Sequence, residues 1–224
     1  LTKKLHNACN EEGVAFFQAT HANHAHFQQD LLTSLELWHK MALAFGRERD
    51  YTAALWVNAI ADHYLQDMFA PGHIATPRDR MTDVPATAMH DKANRDGALF
   101  APQRHDVLRP ILEFLARNPK SLEELRCPFK SKNRKEEDPA RCFSAEEVKA
   151  AASNLSAGVK APVVFRGDGH LWDRDPEQLK QRVWLLAVEV RSILDLFEES
   201  DRQITWNTDF KYDYAEPRPT ASFS

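Results

Sequence analysis

Apolar residues recur at every third or fourth position over most of this chain, and that periodicity commits it to helices. In "LLTSLELWHKMALAFG", residues 31 to 46, Leu31, Leu35, Trp38, Ala42 and Phe45 fall on one helical stripe, with Gly46 as the expected C-terminal stop. A second helix is expected over residues 50 to 68, "DYTAALWVNAIADHYLQDM", capped by Asp50. Its Ala53, Val57, Ile60, Tyr64 and Met68 form one apolar stripe, and Trp56, Ile60, His63 and Asp67 an adjoining one. His63 and Asp67 are therefore expected on the flank of a largely buried helix. Residues 86 to 95 read as a short helix closed by an Asp96-Gly97 turn. "DVLRPILEFLAR" reads as a helix with Pro110 near its start or at a kink. "SAEEVKAAASNL" opens on a capping box of Ser144 and Glu147. Residues 175 to 199 form a long helix with Pro176 at its first position, and Leu179, Val183, Leu186, Val190, Ile193 and Phe197 are expected to face inward. Glycine is scarce, seven in 224 residues, which suits helices better than a loop-rich β protein. The expected fold is all-α, a multi-helix bundle.

The 43% of hydrophobic residues suffices for one substantial core, placed over residues 1–203. Beyond it, "QITWNTDFKYDYAEPRP" alternates and looks extended, so residues 204–224 read as a tail or the start of a linker. A net charge of −4 shows no basic surface for nucleic acid in the totals. No run of 18 apolar residues offers a membrane span. The chain opens on "LTKKLHNACNEEG" without an initiator methionine, which fits either a removed leader or a missing N-terminal segment. Cys127 and Cys142 bracket a polar loop, "PFKSKNRKEEDPAR", and are expected to form a disulfide, which implies an oxidising compartment. Cys9 is left over, and its expected partner is a cysteine in a lost N-terminal segment.

The unusual count is histidine, ten in all, eight of them before residue 91. "ADHYLQDMFAPGHI" sets His63 and Asp67 one helical turn apart on one face, and the Pro71-Gly72 bend then delivers His73 from a loop at a different angle. Imidazole and carboxylate are the usual zinc donors, and an ion needs ligands converging from several directions. An isolated H-x-x-x-D pair is more often a buried hydrogen bond. Here "HANHAHFQQD" adds His21, His24 and His26, and "MHDKANRDG" adds His90 with Asn94 four residues on.

"HYLQDMFAPGH" resembles the H-Y/F-x-x-D-x(5)-H signature of bacterial zinc-dependent phospholipases C, whose fold the single-strand-specific fungal nucleases share. The preceding "HKMALAFGRERDYTAALWVNAIA" resembles the approach to that signature, and "FAPGHIATPR" looks more like the lipase side, so the likeness covers roughly residues 20 to 100. It implies a helical bundle holding two or three zinc ions. By it, His63 and Asp67 match the signature pair, Asp67 bridges two metals as the central catalytic carboxylate, His73 and His90 hold another, and His26 is the upstream ligand. Asn94 falls where the family has a carboxylate, a poorer neutral ligand, while the adjacent Asp91 points elsewhere on the helix. The remaining family ligands find no convincing match; His6, His24, Glu11 and Glu12 are the candidates.

The resemblance implies hydrolysis of phosphatidylcholine-like phospholipids at a membrane or micelle surface, giving diacylglycerol and a phosphorylated head group, by a secreted or periplasmic bacterial enzyme. Two alternatives stand beside it: a zinc nuclease acting on single-stranded nucleic acid, and a non-enzymatic metal-binding helical module. The sequence leaves the oligomeric state open. Other polar residues have plainer readings. His39 reads as a satisfied core histidine, His105 as solvent-facing, His170 as a turn residue, and His21 and His24 as surface neighbours of His26.

Overall fold

The computed structural model describes residues 23–100, 105–127, 142–158 and 163–198. The expectations for His6, Cys9, Glu11, Glu12, His21, the His105 side chain and the 204–224 tail lie outside them. Seven α-helices and one two-stranded sheet make up the described fold. In chain order they are α1 (Gln28–Arg47), α2 (Tyr51–Met68), α3 (Pro71–Ala75), α4 (Asp83–Asp96), β1 (Ala98–Phe100), α5 (His105–Arg117), α6 (Ala145–Ser156), β2 (Val163–Phe165) and α7 (Pro176–Phe197). No helix among the described residues is long and apolar enough to cross a membrane.

Local chemistry sets the helix ends. Asp50 caps α2 by accepting from the Ala53 N–H at 3.1 Å. The Ser144–Glu147 capping box opens α6 with both of its reciprocal bonds in place, at 2.7 and 3.1 Å. Pro176 takes the first turn of α7, and Asp175 caps it through the Glu177 N–H. Gly46 behaves differently from the stop signal expected. It lies inside α1, and Arg49, at φ 62°, makes the left-handed turn into α2. The glycine is needed for close approach, because a Cβ there would stand 2.6 Å from the carbonyl oxygen of Leu196 on α7.

α1 and α2 form a helical hairpin, and α7 packs against both as well as against α5 and α6. The main core gathers Leu31, Leu35, Leu65, Leu112, Val148 and Val183 with Phe69, Phe165 and Trp184, and partly buried Phe100 stacks on Phe165 and meets Trp184 edge-on. The inward face of α2 is turned from the expected stripe. Ala54, Asn58, Ala61, Leu65 and Met68 are buried, whereas Ile60 is exposed and Trp56 is 75% exposed. On α7 Leu179 and Val183 point inward as expected, but Ile193 and Phe197 are exposed and Ser192 and Asp195 take the buried positions.

A polar seam between α1, α2 and α7 causes both rotations. Buried His39 bonds Asn58 Oδ1 through Nδ1 at 2.9 Å, which agrees with its reading as a satisfied core histidine. Asn58 donates to Asp62 at 2.9 Å and to Ser192 at 3.0 Å, and the Ser192 hydroxyl donates to Asp62 at 2.8 Å. Further along, Gln66 donates to Glu189 at 2.7 Å. These groups are matched only in one rotation of each helix, so hydrogen bonding overrides the hydrophobic stripe.

Antiparallel β1 and β2 pair Ala98 with Phe165 and Phe100 with Val163. Neither strand was expected. Their place is held from α7, where Gln178 donates to the Val164 carbonyl at 3.0 Å and Gln181 to the Arg166 and Phe69 carbonyls, both at 2.8 Å. Cys127 and Cys142 are disulfide-bonded, closing a separation of 15 residues. A loop of that length is worth about 3 kcal/mol in the chain-entropy account.

Burial raises the Asp62 carboxyl above its ordinary value, against the lowering effects of Ser192, His39 and Asn58. A raised folded value means that its contribution to stability is complete below the unfolded value of about 3.9 and is lost as pH rises through the folded one. Asp62→Asn keeps an acceptor for Asn58 and is expected to remove that part of the pH dependence. Urea unfolding of both proteins from about pH 4 upward measures it, and parallel stability curves would contradict it.

Candidate metal centre

The last turns of α2 present His63 and Asp67, one turn apart on the flank of the helix. Its end is set by core packing, because buried Phe69 packs against the stacked pair of Phe100 and Phe165. Ala70 is extended and Pro71 then starts the five-residue α3. His73 therefore rides on a short helix rather than on the loop expected from Pro71-Gly72. His26 arrives on a 3-10 turn, Asn23–His26, just before α1.

These elements aim three imidazoles at one carboxylate oxygen. Asp67 Oδ2 lies 2.6 Å from His26 Nδ1, 3.8 Å from His73 Nδ1 and 3.9 Å from His63 Nε2. His26, His63 and Asp67 each offer one donor atom, all within 4.8 Å of one another. Donors around a tetrahedral ion with bonds of about 2.0 Å stand about 3.3 Å apart. The 2.6 and 3.9 Å separations bracket that value, so small side-chain shifts convert the cluster into a coordination shell.

A second group adjoins the first. The His90 ring lies edge-on to His73 with centroids 5.0 Å apart, and Phe27 stacks on His73 at 4.8 Å while meeting His90 edge-on at 6.0 Å. His90 Nδ1 bonds Asp91 at 3.0 Å and lies 3.9 Å from Asp168 Oδ2, and these three also form a cluster with donor atoms within 4.8 Å. The sequence ranked Asp91 below Asn94. In the structure Asp91 turns to His90, while Asn94 is buried and its Oδ1 accepts from the Gly72 N–H at 2.6 Å. Asp168 was missed altogether. It lies in the 3-10 turn Asp168–Trp172 after β2, and the signal available in sequence was the glycine pair flanking it in "RGDGH". His170, in the same turn, bonds Asp173 at 3.1 Å, in keeping with its reading as a turn residue.

All four expected imidazoles, of residues 26, 63, 73 and 90, thus reach one region together with Asp67 and Asn94, whereas His24 is exposed. The His73 ring is suited to a cation. Burial holds it below the ordinary imidazole value, more strongly than Asp67 and the bond to His26 raise it. A neutral ring keeps a lone pair, and Nδ1–H donates to the His26 carbonyl at 2.8 Å, which leaves Nε2 as the ligating atom. His63 is more than half exposed, so the cluster opens to solvent along the outer side of α2. Comparison with protein-family models, with curated proteins and with solved structures finds no match for this chain.

Gly72 is where this packing is tightest. A Cβ there would lie 2.6 Å from His90 Cδ2 and 2.7 Å from Asn94 Nδ2. Gly72→Ala is expected to destabilise the protein by about 1–3 kcal/mol, the usual scale of overpacking. Denaturant titration reads the effect, and a midpoint equal to that of the wild type would refute the tight contact.

Proposed function

We propose that the chain is a zinc-dependent phospholipase C with the helical bundle of the bacterial enzymes it resembles, hydrolysing the phosphodiester of phosphatidylcholine-like lipids to diacylglycerol and a phosphorylated head group. The observation that carries this reading is the cluster of donor atoms from His26, His63 and Asp67, with His73 beside it. Imidazole nitrogens with a carboxylate form a zinc donor set, and the exposed side of His63 leaves room for a substrate. Bound zinc would supply Lewis-acid polarisation of the phosphodiester oxygens and a more acidic water.

The protein's own residues do the positioning. Asp67 holds the imidazoles around one point. His73, kept neutral by burial, offers a lone pair without first losing a proton. Phe27 and Tyr64 pack against His73 and His26 and restrict their rings.

The surface beside the cluster favours a lipid over a polyanion. No exposed residue of α2 is Lys, Arg, Asp or Glu, and Leu55, Trp56 and Ile60 lie along the face that leads to His63 and Asp67. A nucleic acid would call for Lys and Arg there. An uncharged apolar face suits the surface of a membrane or micelle. The Cys127–Cys142 disulfide supports a secreted or periplasmic setting.

Zinc analysis together with head-group release from phosphatidylcholine tests the proposal. The zinc-loaded wild type is expected to release phosphocholine. Asp67→Asn should stay folded by circular dichroism and lose about two orders of magnitude in rate or more, equivalent to about 3 kcal/mol of transition-state stabilisation. Zinc-loaded protein that cleaves single-stranded DNA but no phospholipid would overturn the lipase reading in favour of a nuclease.

A further inference from the structure

We infer that Asp168 is the carboxylate ligand of a second cation shared with His73 and His90, and that Asn94 is the positioning residue that brings it there. The inference rests on the metal-centre reading above and assigns residues to its second half.

On α4 the position four residues after His90 shares its face, so a carboxylate at 94 would complete a site with that imidazole. The chain places an amide there instead, and the amide oxygen is engaged elsewhere. Asn94 is 1% exposed, and its Oδ1 accepts from the Gly72 N–H at 2.6 Å. Its Nδ2 donates to Asp168 Oδ2 at 2.6 Å and lies 3.2 Å from His90 Nε2. A buried amide with both ends engaged is costly to disrupt. The residue that cannot itself supply an anionic oxygen thus draws one in from a turn 74 residues further along the chain.

The turn is built for this. Asp168 adopts φ 50°, a left-handed conformation that a non-glycine residue holds only when its surroundings require it. The Gly167 N–H donates to the Asn94 carbonyl at 3.2 Å, and a Cβ on Gly167 would collide with the Asn94 side-chain amide. Backbone and side chain of Asn94 therefore both hold this turn.

The imidazoles are prepared in the same way. His90 Nδ1–H donates to Asp91 at 3.0 Å, which leaves the Nε2 lone pair facing the amide nitrogen that also holds Asp168. His73 Nδ1–H donates to the His26 carbonyl, which leaves its Nε2. A carboxylate or carbonyl behind each imidazole is the arrangement that fixes the tautomer and strengthens the ligand. Asp91 then acts behind His90, and Asp168 is the charged oxygen donor. A cation would replace the long Asn94–His90 contact and leave the short Asn94–Asp168 bond intact.

Zinc content by elemental analysis and zinc affinity by calorimetry, on folded wild type, Asp168→Asn and the exchange variant Asn94→Asp/Asp168→Asn, test this. Asp168→Asn is expected to bind one equivalent fewer than the wild type and to keep the ion at His26, His63 and Asp67. The exchange variant moves the carboxylate to position 94, keeps an acceptor for Gly72, and reverses the donor and acceptor of the 94–168 hydrogen bond. It is expected to recover the lost equivalent, which a merely structural role for the pair would not produce. If Asp168→Asn keeps the wild-type count and affinity, the assignment of Asp168 is wrong while the first site stands. If it loses an ion that the exchange does not restore, the role given to Asn94 is wrong. If the wild type binds no zinc, this inference and the metal-centre reading fail together.

Discussion

The carboxylate of Asp67 is the point on which the site depends. Its side chain is only 14% exposed, and a half-buried charge is unfavourable unless other groups compensate it. Compensation comes from a 3-10 turn, from α2 itself and from α3, each contributing an imidazole. The position of Asp67 is in turn fixed by the core. Phe69, two residues on, stacks with Phe165 at 5.4 Å, and its carbonyl accepts from the buried Gln181 of α7 at 2.8 Å. The same Gln181 holds Arg166 at the end of β2 through two bonds, 2.9 and 2.8 Å. One buried amide therefore ties together the chain leaving Asp67 and the chain arriving at Asp168.

That role explains why α7 carries so much polarity on its inner face. Gln178 and Gln181 support the sheet, while Ser192 engages Asn58 and Asp62 of α2. An apolar helix could bury as much surface, but it could slide or rotate against its neighbours with little penalty. Directional bonds remove that freedom. A donor set needs its atoms placed within a fraction of an ångström, and hydrogen bonding from a central helix achieves this better than side-chain packing alone.

The local parts of this structure were legible in the sequence. Helical spacing located α2, Asp50 and Ser144 marked their caps, and His63, Asp67 and His73 were found because four- and six-residue separations keep them close in any helix-and-turn geometry. The long-range parts were not. The rotation of α2 is decided by Asn58 meeting Ser192, at a separation of 134 residues, and a polar residue on an apolar stripe reads as an exception rather than as the buried face. Gly46 reads as a helix stop until α7 is known to cross it. Asp168 lies in a turn with no helical or alternating pattern around it, and only the pairing of β1 with β2 brings it to Asn94. The strands are three residues each, too short for a period to declare itself.

Charge balance links these observations. The two clusters bring Asp67, Asp91 and Asp168 into one region with four imidazoles, and burial keeps at least the His73 ring from balancing them by taking up a proton. Two divalent cations would offset three carboxylates with one positive charge remaining, which would suit the anionic phosphodiester of the proposed substrate. One cation alone would leave the region with a net negative charge, which would disfavour any anionic ligand. A carboxylate at position 94 in addition to Asp168 would shift the balance by a further unit. With a neutral amide at 94, the charge is supplied once, from the turn, and the helix position is free to act as the clamp that holds it.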